Sequence, residues 1–184
     1  MKKIVVFASG SGTTFRSIVE YSLRKDSVFK VSALVTDRSK CGAVQIASDH
    51  QIPVIPYDEK LSDYIKGEHI DLLVLAGFLK IVGNDLIEIF SQRIVNIHPS
   101  LLPAFGGMGY YGIRVHRAVK SYGVKYTGFT VHYVDGNVDG GKIIYQEVVP
   151  VLDSDSPEQI QERVHRRELE MYPKIIDGIL QGDL

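Results

Sequence analysis

The chain has 184 residues, a formal net charge of −1 and one cysteine. Its length is sufficient for a full core, so we expect a single domain over residues 1–184. The near-zero charge gives no electrostatic reason to expect nucleic acid or a membrane surface as a partner. Because Cys41 is alone, an internal disulfide framework is excluded, and we expect a cytoplasmic protein.

The amino-terminal stretch predicts a strand, a glycine loop and a helix. Residues Lys3–Ala8 form a short apolar run, which is typical of a strand buried on both faces of a parallel sheet. The segment Ser9-Gly-Ser-Gly-Thr-Thr14 follows, and apolar residues then recur at helical spacing. Such a loop points backbone N–H groups at an anion, and its hydroxyl groups add donors.

Several sites could use this loop. A dinucleotide site requires a third glycine where Phe15 stands, although Asp37 lies roughly where a ribose-binding acid would be. A P-loop requires Gly-Lys followed by Ser or Thr, which is missing. Two interpretations remain open, namely a site for a smaller phosphate group and a plain strand-to-helix turn.

Strand and helix patterns then alternate along the chain. Strand patterns at Val28–Thr36, Pro53–Ile55 and Asp71–Gly77 alternate with helical patterns at Gly42–His50 and Glu59–Lys66. This alternation predicts right-handed βαβ units, and therefore an α/β protein with a Rossmann-like, doubly wound, mainly parallel sheet.

The segment Phe78–Val82 directly follows the last of these strands. An apolar run with a single lysine, Lys80, outside the carboxyl end of a strand is where an α/β sheet would line a slot for a flat ligand. A helix lead-in that packs on the core would have the same composition. The residues alone leave both possibilities open.

A further strand is predicted at Arg93–Ile97, ending before Pro99 because proline cannot donate to a central ladder. Asn96 and His98 are two residues apart, so their side chains share one face of that strand. An amide beside an imidazole at a strand mouth can stabilise a developing oxyanion. The ordinary alternative is a turn former or a satisfied polar group.

The segment Ala104–Gly112 is rich in glycine and aromatic residues, and predicts a flexible loop before a helix at Arg114–Tyr122. We assign no role to His116 or Arg117 on that helix.

The chain continues with a predicted antiparallel hairpin. Tyr126–Val134 alternates with period two, and Lys142–Val149 follows after a gap too short for a parallel crossover. The sheet is therefore expected to be mixed, with a C-terminal antiparallel hairpin. The connection Asp135–Gly141 is rich in turn formers, so Asp139 by itself could be no more than a turn cap.

The last helix is expected to start at Ser156, with Pro157 at its first position and Gln159 completing a capping box. Glu168 falls on the apolar stripe of this helix, where a carboxylate is costly unless something pairs with it. A neighbouring arginine or lysine, or an edge position, would be the ordinary explanation.

Two motifs carry a resemblance to a known family. Asn96-Ile-His-Pro-Ser-Leu-Leu-Pro103 resembles one signature of the folate-dependent formyltransferases. Thr127-Gly-Phe-Thr-Val-His132, followed by Val138-Asp-Gly-Gly141, resembles the second. The resemblance covers essentially the whole chain. It implies the formyltransferase fold and the transfer of a formyl group from 10-formyltetrahydrofolate to the amine of glycinamide ribonucleotide in purine synthesis.

The resemblance also implies roles for particular residues. The catalytic residues would be Asn96, His98 and Asp139. The substrate phosphate would be held by Ser11, Gly12, Thr13 and Thr14, and the ribose by Glu168. The folate would be bordered by Leu79, Lys80, Ile81, Val82, Val134, Asp135 and Val138. His165 falls where some relatives carry a phosphate-binding lysine, and the family suggests a cis Leu102–Pro103 bond.

The implied chemistry suits these side chains. Attack of an amine on the formyl carbon creates an oxyanion, which Asn96 and a protonated His98 could stabilise by hydrogen bonds. Asp139 would orient the imidazole and accept a proton, directly or through water. Neither a nucleophilic side chain nor a metal is required. The partners would be small-molecule substrates, and the protein a monomer or a weak homodimer.

Three alternatives share part of this pattern. A formyltetrahydrofolate hydrolase normally carries an additional amino-terminal regulatory domain. A methionyl-tRNA formyltransferase needs a carboxyl-terminal RNA-binding domain and a basic surface. A non-catalytic phosphate-binding module would keep the sheet without the chemistry. The phosphate loop favours an acceptor that is a phosphoribosyl amine.

Overall fold

The computed structural model describes all 184 residues as alternating strands and helices. The strands are β1 Lys2–Phe7, β2 Phe29–Thr36, β3 Val54–Pro56, β4 Leu72–Leu75, β5 Ile94–His98, β6 Tyr126–Tyr133 and β7 Ile143–Pro150. The helices are α1 Thr13–Ser22, α2 Gly42–Asp49, α3 Leu61–Gly67, α4 Asn84–Ile89, α5 Ile113–Tyr122 and α6 Pro157–Gln181.

The seven strands form one sheet in the order β3-β2-β1-β4-β5-β6-β7. The first five of these strands are parallel, whereas β6 is antiparallel to both β5 and β7. The predicted mixed sheet, mainly parallel with a C-terminal antiparallel hairpin, is therefore confirmed. The strand order reverses between β1 and β4, and open α/β sheets bind their ligands at the carboxyl ends of strands beside such a reversal.

Helices cover both faces of the sheet, which confirms the doubly wound prediction. On one face, buried apolar side chains of the strands pack with α1, α2, α5 and α6. On the other face they pack with α3 and α4. The central strand β4 has four buried residues in a row, as a strand covered on both sides should.

Helix α6 begins where the sequence predicts and crosses the sheet. The Ser156 hydroxyl accepts from the Gln159 N–H, and the Gln159 side chain accepts from the Ser156 N–H, which completes the capping box. Further along, the buried Tyr172 hydroxyl donates to the Leu75 carbonyl at 3.0 Å. The helix is thereby fixed to the end of β4, beside the strand reversal.

The structure differs from the prediction after β4. That strand ends at Leu75, and Gly77, with φ 73°, turns the chain away from the sheet. Residues 78–82 form a loop rather than a helix lead-in on the core, because Leu79 and Ile81 are 52% and 65% exposed. The short helix α4 follows, and its six residues gave no periodic signal in the sequence. The Leu102–Pro103 bond is cis. No helix of this fold has the length and apolar character needed to span a bilayer.

Candidate active site

A single large cleft of about 1140 Å³ opens at the carboxyl ends of β1, β4 and β5. The loop before α1 forms one end, and the β6–β7 connection forms the other. Every residue to which the sequence assigned a site role lines this cleft. Side chains that are far apart in the chain are thus brought together by the strand order.

The glycine loop presents hydrogen-bond donors to the cleft. Gly12 adopts φ 80° just before α1, and the first turn of α1 has no side-chain cap, so its N–H groups are available to an anion. A side chain on Gly12 would lie 2.6 Å from the Ala43 backbone, so only glycine lets the loop pack on α2. The Ser11 and Thr13 hydroxyls lie 3.5 Å apart at the same place.

The buried Glu168 faces this loop through a histidine. Its Oε2 accepts from His165 Nδ1 at 3.0 Å, and His165 Nε2 lies 3.0 Å from the Thr13 hydroxyl. The hydrogen bond to Glu168 raises the pKa of the His165 imidazole, although burial opposes the shift. The partner of Glu168 is therefore a histidine on its own helix, not the arginine or lysine that the sequence suggested.

The orientation of Asn96 is set by a histidine on the neighbouring strand. The ring of His132 donates from Nδ1 to the Tyr133 carbonyl at 2.8 Å, because a carbonyl can only accept. Its Nε2 is therefore the acceptor for Asn96 Nδ2, at 3.2 Å. This contact uses one N–H of the Asn96 amide and leaves the second N–H for a group in the cleft.

The buried ring of His98 is held in a similar way. Its Nε2 donates to the Phe105 carbonyl at 2.9 Å, so Nδ1 is the nitrogen that can gain or lose a proton. Nδ1 lies 3.3 Å from Asp139 Oδ2. A proton gained by His98 is therefore located between the ring and that carboxylate.

Asp139 is the point at which these groups converge. Its Oδ2 also accepts from the Gly107 N–H at 2.9 Å, and its Oδ1 lies 3.7 Å from His132 Nε2. Burial alone would raise the pKa of the Asp139 carboxyl, but a hydrogen bond from His132 and the charge of His98, when these rings are protonated, together with the Gly107 N–H, lower it overall. Asp139 is thus an ionised, nearly enclosed carboxylate beside an amide and two imidazoles.

Comparison with known proteins agrees with this geometry. A family model described as "Formyl transferase" matches residues 2–176 of the chain. The chain belongs to the formyl transferase family. The resemblance predicted from the two motifs is thereby confirmed.

Curated relatives are similar over nearly the whole length of this chain. It is 42% identical to the chloroplastic phosphoribosylglycinamide formyltransferase of Vigna unguiculata, with 98% of this chain and 61% of that protein covered. It is 34% identical to the phosphoribosylglycinamide formyltransferase of Bacillus subtilis, with 98% and 95% covered. The chain spans less than two thirds of the Vigna protein, and 66% of a chloroplastic relative from Arabidopsis thaliana.

Solved structures give the same result. Glycinamide ribonucleotide transformylase 1 from Geobacillus kaustophilus superimposes with a TM-score of 0.89 at 37% identity, covering 98% of this chain and 99% of that one. The corresponding protein from Symbiobacterium toebii superimposes with a TM-score of 0.90 at 32% identity, covering 99% and 89%. The fold of this chain is therefore shared with these structures along nearly its full length.

The loop 78–82, which the resemblance assigns to the folate, is held in place by hydrogen bonds from neighbouring segments. The Ser9 hydroxyl donates to Asp37 Oδ1 at 2.6 Å and accepts from the Leu79 N–H at 3.2 Å. The Tyr57 hydroxyl donates to the Ile81 carbonyl and accepts from the N–H two residues later, each at 3.0 Å. Asp37 thus anchors this wall of the cleft through Ser9. No group of three or more His, Cys, Asp or Glu side chains has the geometry of a metal site.

Sequence reasoning missed several members of the site. His132 lay within a recognised motif, but its contact with Asn96 depends on the pairing of β5 with β6. The Gly107 N–H reaches Asp139 from the loop 104–112, whose conformation could not be predicted from the sequence. His116 also lines the cleft, and its placement beside the buried Val115 and Val119 on α5 was the only available clue.

Proposed function

We propose that this chain transfers a formyl group from 10-formyltetrahydrofolate to the amine of glycinamide ribonucleotide, the acceptor named in its relatives. The observation that supports this most directly is the convergence of Asn96, His98 and Asp139 in the same cleft as the anion-binding end of α1. The phosphate of the acceptor would need the N–H donors at the start of α1, and the oxyanion of the intermediate would need the polar side chains at the other end of the cleft.

Asn96 and His98 would stabilise the tetrahedral intermediate. Attack of the amine places negative charge on the former formyl oxygen, and donors already aimed at that position lower the barrier. The free N–H of Asn96 is a neutral donor, and His98, when protonated on Nδ1, adds a positive charge beside the oxyanion while its two N–H groups point to Phe105 and Asp139. Both side chains are held by hydrogen bonds to other parts of the protein, so little reorganisation accompanies the reaction.

Asp139 would take the proton that the attacking amine loses. Its carboxylate is ionised and nearly enclosed, and it lies within reach of His98 Nδ1. General bases of this kind contribute about 10²- to 10⁴-fold to the rate. The proton passes from the amine to Asp139, directly or through water, and from the site to the departing tetrahydrofolate nitrogen.

The two ends of the cleft would bind the two substrates. Ser11 to Thr14 would hold the 5′-phosphate with backbone N–H groups and hydroxyls, and Glu168 would accept from the ribose hydroxyls. The exposed apolar residues Leu79, Ile81 and Val138 would cover the pterin and its neighbouring ring. Lys80, which lies over the Tyr57 ring, would provide a positive charge at the outer edge.

The decisive experiment measures formyl transfer by the purified chain with and without glycinamide ribonucleotide. We expect consumption of 10-formyltetrahydrofolate and formation of formylglycinamide ribonucleotide only when the acceptor is present. Consumption without the acceptor would indicate a hydrolase. Formylation of methionyl-tRNA instead would indicate the tRNA-directed relative, and no consumption under any condition would indicate a binding module.

We also propose a domain organisation, an oligomeric state and a location for this chain. The single continuous sheet supports one domain over residues 1–184, and we expect a monomer or a weak homodimer. Cys41 is half-buried and unpaired, which is compatible with the cytoplasm, whereas the plant relatives are named as chloroplastic.

A further inference from the structure

His116 is a buried imidazole in the cleft to which the proposed mechanism gives no task. Its side chain lies on α5, is 2% exposed and lines the cleft. Its Nδ1 is buried without a hydrogen-bond partner. His98 and His132, in contrast, each donate to a backbone carbonyl. Because Nδ1 is shielded from solvent, Nε2, which has no hydrogen-bond partner either, is the ring nitrogen that a ligand in the cleft can reach.

Packing does not explain this residue. The neighbouring inward positions of α5, Val115 and Val119, are fully buried in the core. An apolar side chain would suit the site better than an imidazole whose nitrogen has lost its hydration without gaining a partner. Residues that lower stability in this way are characteristic of functional sites.

The ring is uncharged at neutral pH. Burial, together with the charges of His98 and His165, lowers the pKa of His116 to about 4. A neutral imidazole offers one N–H donor and one nitrogen acceptor, and it has no preference for an anion. Such a ring in a cleft suits an uncharged polar group of a ligand.

The position of the ring identifies that group. His98 belongs to the reacting end of the cleft and His165 to the phosphate end, and both are close enough to affect His116. A phosphoribosyl amine that spans the cleft carries two kinds of uncharged polar group between these ends, the ribose hydroxyls and an amide. The buried carboxylate of Glu168 suits the hydroxyls, because it can only accept.

We propose that His116 hydrogen-bonds the amide that links the sugar of the acceptor substrate to its reacting amine. This inference rests on the proposed function. It makes His116 a specificity-determining residue that distinguishes an aminoacyl amide from a bare phosphorylated sugar.

The test compares two ligands on two variants. His116→Leu removes both ring nitrogens and keeps an apolar side chain, whereas His116→Gln retains one donor and one acceptor. The exposed His69, at the opposite end of the fold, provides the control His69→Leu. Binding of glycinamide ribonucleotide and of ribose 5-phosphate is measured by titration calorimetry without folate, and thermal unfolding is followed in parallel.

We expect His116→Leu to bind glycinamide ribonucleotide about tenfold more weakly, the effect of one hydrogen bond, with ribose 5-phosphate unchanged. The KM for the acceptor should rise to the same extent, and His116→Gln should recover part of the loss. The leucine variant should unfold at the same or a higher temperature than the unsubstituted chain.

Two results would overturn the inference while leaving the proposed function intact. One is unchanged binding of glycinamide ribonucleotide by a folded His116→Leu variant of an active chain. The other is an equal loss for both ligands, or early unfolding, which would assign the ring to the sugar or to the core. If the unsubstituted chain neither transfers formyl groups nor prefers glycinamide ribonucleotide to ribose 5-phosphate, the proposed function fails instead.

Discussion

Replacing His132 by phenylalanine should lower turnover about tenfold, although we do not expect His132 to touch either substrate. His132 Nε2 accepts one N–H of the Asn96 amide at 3.2 Å. The hydrogen bond from His132 Nδ1 to the Tyr133 carbonyl fixes the tautomer that makes Nε2 the acceptor. Without this acceptor the Asn96 amide can rotate about its terminal bond and present its oxygen to the oxyanion. The rate should fall because the donor is no longer fixed in advance.

The size of the effect follows from the contact that is lost. A hydrogen bond of this kind contributes up to about 1.5 kcal/mol, and about 1.4 kcal/mol corresponds to a factor of ten. Complete removal of the donor, as in Asn96→Ala, should cost about 10²- to 10³-fold in turnover. Misorientation of Asn96 should therefore cost less than its removal, and KM for both substrates should change little.

A double-mutant cycle tests whether His132 acts through Asn96. Initial rates at saturating substrates are measured for Asn96→Ala, His132→Phe and the double variant, with the exposed His50→Phe as a control and thermal unfolding as a check on the fold. If the effect passes through Asn96, the double variant should be no slower than Asn96→Ala. A double variant slower by the product of the two effects would refute this reasoning, and would point to the contact of His132 with Asp139 instead.

Three further outcomes are expected. Asp139→Asn keeps the side-chain shape and tolerates the backbone φ of 55°, so the variant should fold normally. Its rate constant for formyl transfer in a single-turnover assay should fall by about 10²- to 10⁴-fold. Gly12→Ala places a Cβ 2.6 Å from the backbone of α2 at φ 80°, so urea unfolding should show a loss of about 1–3 kcal/mol, whereas Gly10→Ala, which meets nothing, should match the unsubstituted chain. The hydrogen bonds from Arg163 lower the pKa of Asp155 to about 2, below its unfolded value, so this pair stabilises the fold above about pH 4 and the effect disappears toward pH 2. Asp155→Asn should therefore flatten the dependence of urea midpoints on pH in that range.

Local patterns predicted those parts of the fold that local forces determine. The apolar run of β1, the turn formers between β6 and β7 and the capping box of α6 each reflect interactions within a few residues. The end of β4 was predicted two residues too late because Gly77 redirects the chain, and α4 was not predicted because its six residues are too few to show a period. The predicted site residues converge because the carboxyl ends of parallel strands share one edge of the sheet.

Contacts between residues that are distant in the chain could not be predicted from the sequence, for a physical reason. Asn96 faces His132 only because β5 pairs with β6 in one register, and a shift of one residue would point His132 to the other face. The Gly107 N–H reaches Asp139 only through the path of the glycine-rich loop. Such contacts depend on how whole elements are placed, so neither residue spacing nor composition contains them.

The protonation pattern of the site is decided by two backbone carbonyls. The Phe105 carbonyl takes the Nε2 proton of His98, and the Tyr133 carbonyl takes the Nδ1 proton of His132. The remaining ring nitrogens both face Asp139, at 3.3 and 3.7 Å, as unprotonated acceptors when the rings are neutral. With the Asp139 carboxylate ionised, the cluster can receive one proton and hold it beside the second N–H of Asn96. In the reaction that we propose, the attacking amine loses one proton, and this cluster would be its acceptor.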